Sequence, residues 1–150
     1  MTDQDGLAAI SAALITSEAF ESVLCGLSPP ELQTVGQDLP RAWIKPFEWT
    51  EASESDPETI LRTVTYSLEL AVQSDGENDP TVSLDQLATV VSNALAGQPL
   101  CGESLPAYSV LARGKYSNLP AAFPVHFLTL TGTFAYLISG YCGRAPIEAD

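Results

Sequence analysis

The densest group of residues that could do chemistry is a run of carboxylates in the first half of the chain. Five acidic side chains fall within this short stretch: Glu48, Glu51, Glu54, Asp56 and Glu58. Paired carboxylates support acid–base catalysis or bind divalent cations. This run lacks the alternating ligands and the turn glycine of a calcium loop. We therefore interpret residues 50–58 as a solvated acidic loop with no catalytic or metal-binding role.

Nucleophilic catalysis would depend on three cysteines and one histidine: Cys25, Cys101, Cys142 and His126. The odd cysteine count, the long spacings and the lack of a CxxC motif argue against a disulfide framework and a zinc site. His126 begins an alternating apolar run, so we expect a partly buried structural side chain. Glycine-rich phosphate loops and the GxSxG and HExxH motifs are absent from the sequence. The prediction is a protein that is not an enzyme and holds no cofactor or metal.

An aromatic group lies just before the acidic run. Trp43, Phe47 and Trp49 occupy alternate, odd-numbered positions, with Lys45 at the odd-numbered position between the first two. Such a set is typical of a core with tryptophan at its margin, and the alternative is an anchor for a protein interface. Both interpretations stay open from the residues alone. Trp43 and Trp49 are therefore candidate inter-subunit contacts.

The charge is large, negative and unevenly distributed. The 150 residues carry a formal net charge of −13, which argues against binding nucleic acid or an anionic membrane through the bulk surface. A high-salt habitat would also account for this acidity. Residues 1–103 hold 17 acids and 3 bases, whereas residues 104–147 hold three bases and no acid. Two surfaces of opposite sign favour head-to-tail association, with Arg113 and Lys115 as candidate inter-subunit contacts.

Two segments have helical periodicity. Residues 6–24 carry an apolar stripe that begins with Leu7, Ile10 and Leu14, and Gly26 is the expected stop. Residues 83–96 form the second predicted helix, with Ser83 and Gln86 as a capping box and Gly97 after its end.

The strands are predicted from alternation. Residues 60–73 and 125–138 alternate apolar and polar side chains, which indicates two half-buried strands. Residues 41–49 predict a strand that Pro46 confines to a sheet edge or a bulge. A further strand is expected at 105–112, followed by an irregular connection over 114–124 and an irregular C-terminal arm over 139–150.

Together these elements predict one domain over residues 1–150 with an α+β fold. Its mostly antiparallel, twisted sheet has about four strands, and two main helices pack on one face. An acidic N-terminus without a basic region is not typical of a secretory signal, and the most apolar stretch contains two prolines. We expect a protein made in the cytoplasm that does not enter membranes.

The layout resembles the tail terminator (tail completion) proteins of long-tailed bacteriophages and related small neck proteins. The resemblance covers about residues 6–138. It starts with the helix LAAISAALITSEAFESVLCG and the strand LPRAWIKPFEW, followed by the acidic loop and the alternating strand RTVTYSLELAVQS. The helix LDQLATVVSNALAGQPLCG follows, and the chain closes with β segments that end in LTLTGTFAY.

This resemblance implies a structural virion protein at the tail or neck, present in the host cytoplasm before assembly. Such proteins form a ring, commonly of six subunits, at the head-proximal end of the tail tube. The ring stops tube polymerisation and offers a docking surface to a neck or head-completion protein. Genomic DNA passes through it without specific binding. Under this interpretation, the acidic run from Glu48 to Glu58 is a candidate lumen wall or docking loop.

Two other functions remain open from the sequence. One is a cytoplasmic adaptor that binds a partner through Trp43, Phe47 and Trp49 or through a sheet edge. The other is a small enzyme that uses Cys142 or a carboxylate pair. A ring-forming virion protein is the interpretation that we carry forward.

Overall fold

The computed structural model describes residues 2–27, 39–53, 60–73, 79–95, 109–118 and 125–138. They form, in chain order, α1 (Asp3–Thr16), β1 (Ser22–Cys25), β2 (Arg41–Ser53), β3 (Ile60–Gln73), α2 (Pro80–Leu95), β4 (Ser109–Asn118) and β5 (Val125–Ile138). The sheet order is β1-β2-β3-β5-β4, with β1 parallel to β2 and the other pairs antiparallel. The predicted α+β fold is confirmed, with five described strands instead of about four.

Helix α1 begins and ends earlier than predicted. Thr2 and Asp5 form a capping box, so the helix starts at Asp3 instead of residue 6. The helix ends at Thr16, and Glu18 adopts the left-handed conformation with φ of 59°. The chain then forms β1, so the helix predicted to continue to residue 24 was wrong. The predicted apolar stripe from Leu7 to Leu14 is buried.

Strand β2 explains how the sheet tolerates a proline. Its first four residues pair with β1, and from Lys45 onward that side of β2 has no partner strand among the described residues. The register with β3 shifts between Pro46 and Glu48. The predicted edge position and bulge are thus both found. The strand continues to Ser53, so the prediction of a loop beginning at residue 50 was wrong, while residues 54–59 lie outside the described part.

Strands β3 and β5 form the centre of the sheet, as their alternation predicted. They pair along their whole length, with Leu68 opposite Leu130 and Arg62 opposite Tyr136. Even-numbered residues of both strands lie on the face that packs against the helices, which we call the helix face. Odd-numbered residues lie on the other face, which we call the open face.

Helix α2 begins one turn earlier than predicted. Asp79 precedes it and accepts a hydrogen bond from the Thr81 backbone N–H at 2.9 Å. Pro80 occupies the first helical position, where its missing N–H is no loss. Ser83 and Gln86 therefore lie inside the helix, and the predicted capping box between them was wrong. Gly97 lies outside the described residues.

Strand β4 differs most from its prediction. It covers Ser109–Asn118 and pairs with β5, with a register shift between Leu111 and Arg113. The predicted strand at 105–112 overlaps only its beginning, and the irregular connection predicted from residue 114 was wrong for residues 114–118. Its second half, RGKYSN, has little strand propensity, and pairing with β5 determines its conformation. Residues 139–150, the predicted arm, lie outside the described part.

One apolar core joins the two helices to the helix face. Side chains of α1 and α2 share a buried cluster with the even-numbered residues of the central strands: Leu7, Ile10, Leu14, Leu84, Val91, Leu95, Val64, Tyr66, Leu68, Leu70, Leu128, Leu130, Phe134 and Tyr136. A smaller buried group occupies one end of the open face: Ala71, Val125 and Phe127, with Leu39 against it. The helices therefore leave most of the open face uncovered within the described residues.

The close approach of α1 to the sheet depends on a glycine. A Cβ atom at Gly6 would overlap with the ring of Phe134, which is 1% exposed. We expect Gly6→Ala to lower the free energy of unfolding by about 1–3 kcal/mol through overpacking, although alanine is the better helix former. Urea unfolding measures this change. In a Phe134→Leu background, Gly6→Ala should lower the free energy of unfolding by less, because the smaller side chain leaves room for the Cβ atom. If Gly6→Ala alone stabilised the protein, the close packing of α1 against Phe134 would be contradicted.

Candidate interaction surfaces

The candidate docking residues are divided between two environments. Glu48 lies in β2 opposite Thr65 and is exposed on the open face. Glu51 lies in β2 opposite Arg62 and is partly buried on the helix face. The three remaining candidates, Glu54, Asp56 and Glu58, lie outside the described residues. Glu51 is thus part of the folded sheet instead of a solvated loop.

Arg62 is the centre of a polar cluster that the sequence did not reveal. Its guanidinium donates to Asp3 at 2.8 and 2.6 Å and to Glu51 at 3.0 Å. The Tyr136 hydroxyl donates to the same Asp3 carboxylate at 2.6 Å. The Trp49 ring lies 3.9 Å from the guanidinium carbon, which places the cation against the aromatic face. We call these five residues the Arg62 cluster.

The cluster favours a charged Asp3. Burial would raise the pKa of Asp3, but hydrogen bonds from Arg62 and Tyr136 and the charge of Arg62 together lower it. Burial and the hydrogen bond to Asp3 raise the pKa of the Tyr136 hydroxyl, which therefore stays protonated as a donor. Since Asp3 begins α1, the cluster ties that helix to three strands of the sheet.

A second ion pair lies on the open face near the start of β2. Arg41 is 3% exposed and its Nη2 lies 3.5 Å from Glu69 Oε1, while its Nε has no hydrogen-bond partner among the described residues. Burial raises the pKa of Glu69, partly offset by Arg41 and Lys45. The Arg41 side chain is thus buried, whereas Glu69 is partly exposed.

The three aromatic residues of β2 do not act as one set. Trp43 is partly buried and its Nε1 donates to the Gly26 carbonyl at 2.9 Å, which fastens β2 to the end of β1. Phe47 is 69% exposed and Trp49 is 52% exposed. The bulge between Pro46 and Glu48 changes the parity, so Trp43 lies on the open face and Trp49 on the helix face.

The candidate bases lie at the opposite edge of the sheet. Arg113 pairs in register with Thr131, and Lys115 pairs with Thr129, so both positions belong to the open face. The Lys115 side chain is exposed. The next residue, Tyr116, lies on the helix face and is 52% exposed, an aromatic residue that sequence reasoning missed. Its neighbours in the sequence, Gly114, Lys115, Ser117 and Asn118, are small or polar, so the segment had no apolar alternation to indicate a strand.

The thiol and imidazole groups that the structure describes lie apart. Cys25 is the last residue of β1, whereas His126 is the second residue of β5, with β2 and β3 between the two strands. Three strand spacings of about 4.8 Å separate these two strands, well beyond hydrogen-bond reach. Cys25 is exposed, and partial burial raises the pKa of its thiol. Cys101 and Cys142 lie outside the described residues.

Other binding features are few in the part of the chain that the structure describes. A cavity of about 470 Å³ lies between α2 and the sheet, lined by Leu39, Pro40, Val72, Gln73, Ser83, Gln86, Leu87 and Val90. None of these lining residues is titratable. Among the described residues there is no group of three or more His, Cys, Asp or Glu side chains placed to hold a metal ion. Nor does either described helix have the length and apolarity to cross a membrane.

The Arg62 cluster predicts a pH-dependent contribution to stability. We expect Asp3→Asn to lower the free energy of unfolding by about 2 kcal/mol near pH 7, because hydrogen bonds to charged groups are lost. A carboxyl whose folded pKa is lowered contributes above its usual pKa of about 3.9, and the contribution disappears as the pH falls through the folded value. The difference from the parent protein should therefore shrink below about pH 4.

Urea unfolding at pH 7 and pH 3 measures this effect. Asp85→Asn is a matched control, since Asp85 is exposed on α2. The control should change the free energy of unfolding by less than about 0.5 kcal/mol at either pH. An Asp3→Asn loss of equal size at both pH values would contradict the role given to the charged carboxylate.

Comparison with known proteins identifies a shared fold. No family model matches the sequence, and no curated protein matches it significantly. The fold is similar to that of a chain in a solved structure described as the virion of a native gene transfer agent (GTA) particle. The TM-score is 0.55 at 15% sequence identity, and the match covers 86% of this chain and 92% of that chain. The chain is therefore similar over most of its length to a protein found in a virion.

Proposed function

We propose that this chain is a structural protein of a phage-like virion. The observation that carries the proposal is the fold shared with a chain of a gene transfer agent virion, which extends over nearly the full length of both chains. The layout of helices, alternating strands and acidic segment supports the same conclusion from the sequence. A non-enzymatic role fits this proposal, since such a protein acts by assembling with other virion proteins.

The more specific proposal is a tail terminator. The chain would form a ring, of about six subunits, at the head-proximal end of the tail tube, where it stops polymerisation and docks a neck or head-completion protein. A ring requires two different contact surfaces on each subunit. The part of β2 beyond its bulge carries Glu48 and Glu51, and β4 carries Arg113 and Lys115. These two segments lie toward opposite sides of the sheet, which supports an arrangement of this kind.

An adaptor is the second candidate because two of its three predicted anchors are exposed. Phe47 and Trp49 are accessible to a partner, whereas Trp43 is partly buried and hydrogen-bonded to Gly26. An adaptor would bind its partner as a monomer or dimer. The assembly experiment below therefore separates the two functions.

The terminator proposal is tested with the purified chain and a polymerising tail-tube protein. We expect native mass spectrometry to show a ring, alone or in the presence of tubes, and electron microscopy to show tubes capped and arrested at one end. Tube protein alone and tube protein with an unrelated protein of similar net charge are the controls. A stable monomer or dimer that leaves the tubes growing would contradict the terminator function and favour the adaptor.

The acidic segment is proposed as a lumen wall along which DNA slides without binding. Repulsion between carboxylates and phosphates would keep DNA from adhering. The variant Glu54→Gln, Asp56→Asn, Glu58→Gln tests this role and leaves Glu51 in its contact with Arg62. We expect the assembled variant to retain double-stranded DNA at low salt at least tenfold better than the parent.

The matched control removes three exposed acids elsewhere, with the changes Glu18→Gln, Glu21→Gln and Asp85→Asn. Both variants have the same net charge, so any difference in their affinity for DNA comes from the positions of the removed acids. Gel retardation at two salt concentrations measures the affinity. Equal DNA binding by the two variants would contradict a specific role for residues 54–58.

A further inference from the structure

The described sheet has two unpaired edges, and they differ in character. Strand β1 covers only Arg41–Ile44, so within the described part of the chain the rest of β2 has one side without a partner strand. Strand β4 ends the sheet on the other side. Backbone N–H and C=O groups along such edges are ready to pair with another chain.

The strand directions permit these two unlike edges to join. Strand β2 is antiparallel to β3, β3 to β5, and β5 to β4, so β2 and β4 run in opposite directions within one subunit. A second copy in the same orientation would place its β2 antiparallel to the β4 of the first. Neighbours around a ring axis also contact each other through two unlike surfaces, with the same small rotation at every step. Pairing of two identical edges would instead give a closed two-fold dimer.

The regular parts of the two edges have equal length. After its register shift β2 pairs regularly with β3 from Glu48 to Ser53, and after its shift β4 pairs regularly with β5 from Arg113 to Asn118. Each edge thus offers six residues of undistorted strand. The bulges and the four-residue β1 confine any added strand to this part of β2.

If β2 of one copy and β4 of another lie side by side, their exposed side chains are complementary on both faces of the sheet. On the helix face, Trp49 and Tyr116 are each 52% exposed, one at each edge. On the open face, exposed Glu48 belongs to β2 and exposed Lys115 belongs to β4. If Trp49 lies opposite Tyr116, Thr50 lies opposite Lys115 and Glu48 is diagonal to Lys115. Aromatic pairs and opposite charges at such positions stabilise neighbouring strands.

We propose that β4 of one copy of this chain adds to the β2 edge of the next copy, with residues 113–117 antiparallel to residues 48–52. The proposal rests on the ring assembly proposed above and specifies its contact. Each joint extends the sheet from one subunit into the next. Two exposed aromatic side chains, Trp49 and Tyr116, become buried against each other in the same step.

Disulfide trapping tests the pairing directly. In a background with serine at positions 25, 101 and 142, the double variant Thr50→Cys, Lys115→Cys places thiols opposite each other across the joint. Opposed residues of antiparallel strands have Cα atoms about 4.5–5.5 Å apart, within the range of a disulfide. We expect a ladder of covalent oligomers after mild oxidation. The control variant Thr50→Cys, Thr81→Cys has its second thiol on α2. It should form at least tenfold less covalent oligomer under the same oxidation.

Charge exchange provides an independent measurement. We expect Lys115→Glu to weaken subunit association at least tenfold in native mass spectrometry, and Glu48→Lys in the same chain to restore most of it. The reversal Asp85→Lys on exposed α2 should leave association within about twofold. Circular dichroism of each variant would establish that the subunit itself is folded.

The outcomes separate this contact from the ring itself. A ring without a ladder from the edge cysteines would overturn the strand pairing and leave the terminator function standing. A ladder without a closed ring would support the pairing and contradict the terminator function. A monomer in every condition, with no ladder, would overturn both.

Discussion

The contact between Arg62 and Asp3 is the interaction on which the arrangement of α1 and the sheet depends. Arg62 lies in the central strand β3, and Asp3 is the first residue of α1, so their two hydrogen bonds join residues far apart in the chain. Glu51 and Tyr136 bring the neighbouring strands β2 and β5 into the same cluster. Burial of a guanidinium is costly unless partners compensate its charge, and here two carboxylates accept hydrogen bonds from Arg62. Trp49 then covers the cation at the edge of the sheet.

This cluster has a consequence for the acidic segment. Glu51, which pairs with Arg62, lies in the part of β2 beyond the bulge, where the strand stays in register with β3 as far as Ser53. The same extension orients Glu48 and Trp49 toward opposite faces of a free edge. An ion pair that fixes the helix thus also shapes the surface where a second copy is proposed to bind.

The opposite edge is formed for a different reason. Strand β4 lies beside β5 along a sequence of small, basic and polar residues, and its conformation is determined by the ladder of backbone hydrogen bonds. The segment of β2 beyond its bulge contains Glu48 and Glu51, whereas β4 contains Arg113 and Lys115, so these two segments of the described sheet differ in the sign of their charge. Unlike edges of opposite sign favour association of subunits in one orientation and disfavour pairing of like edges.

Patterns that depend on local periodicity were predictable. The alternation of β3 and β5, the stripe from Leu7 to Leu14 and the disturbance at Pro46 were each interpreted correctly, because burial on one face imposes its period on the sequence. The start of α2 was predicted incorrectly. Asp79 and Pro80 are typical of a helix start, but Ser83 and Gln86 offered a second plausible capping box. The end of α1 was also missed, since Ser22–Cys25 becomes a strand only through its pairing with Arg41–Ile44.

The sequence alone determined the α+β class, the central strands, the excess of carboxylates and the separation of acidic from basic residues. These depend on composition and on short-range periodicity, which need no knowledge of distant contacts. Only the tertiary structure decided that Asp3, Glu51, Arg62 and Tyr136 meet and that Trp43 and Trp49 lie on opposite faces. It also decided that, among the described strands, the second half of β2 and the strand β4 lie at opposite edges of the sheet. Those features depend on strand order and register, which arise from pairings between residues far apart in the chain.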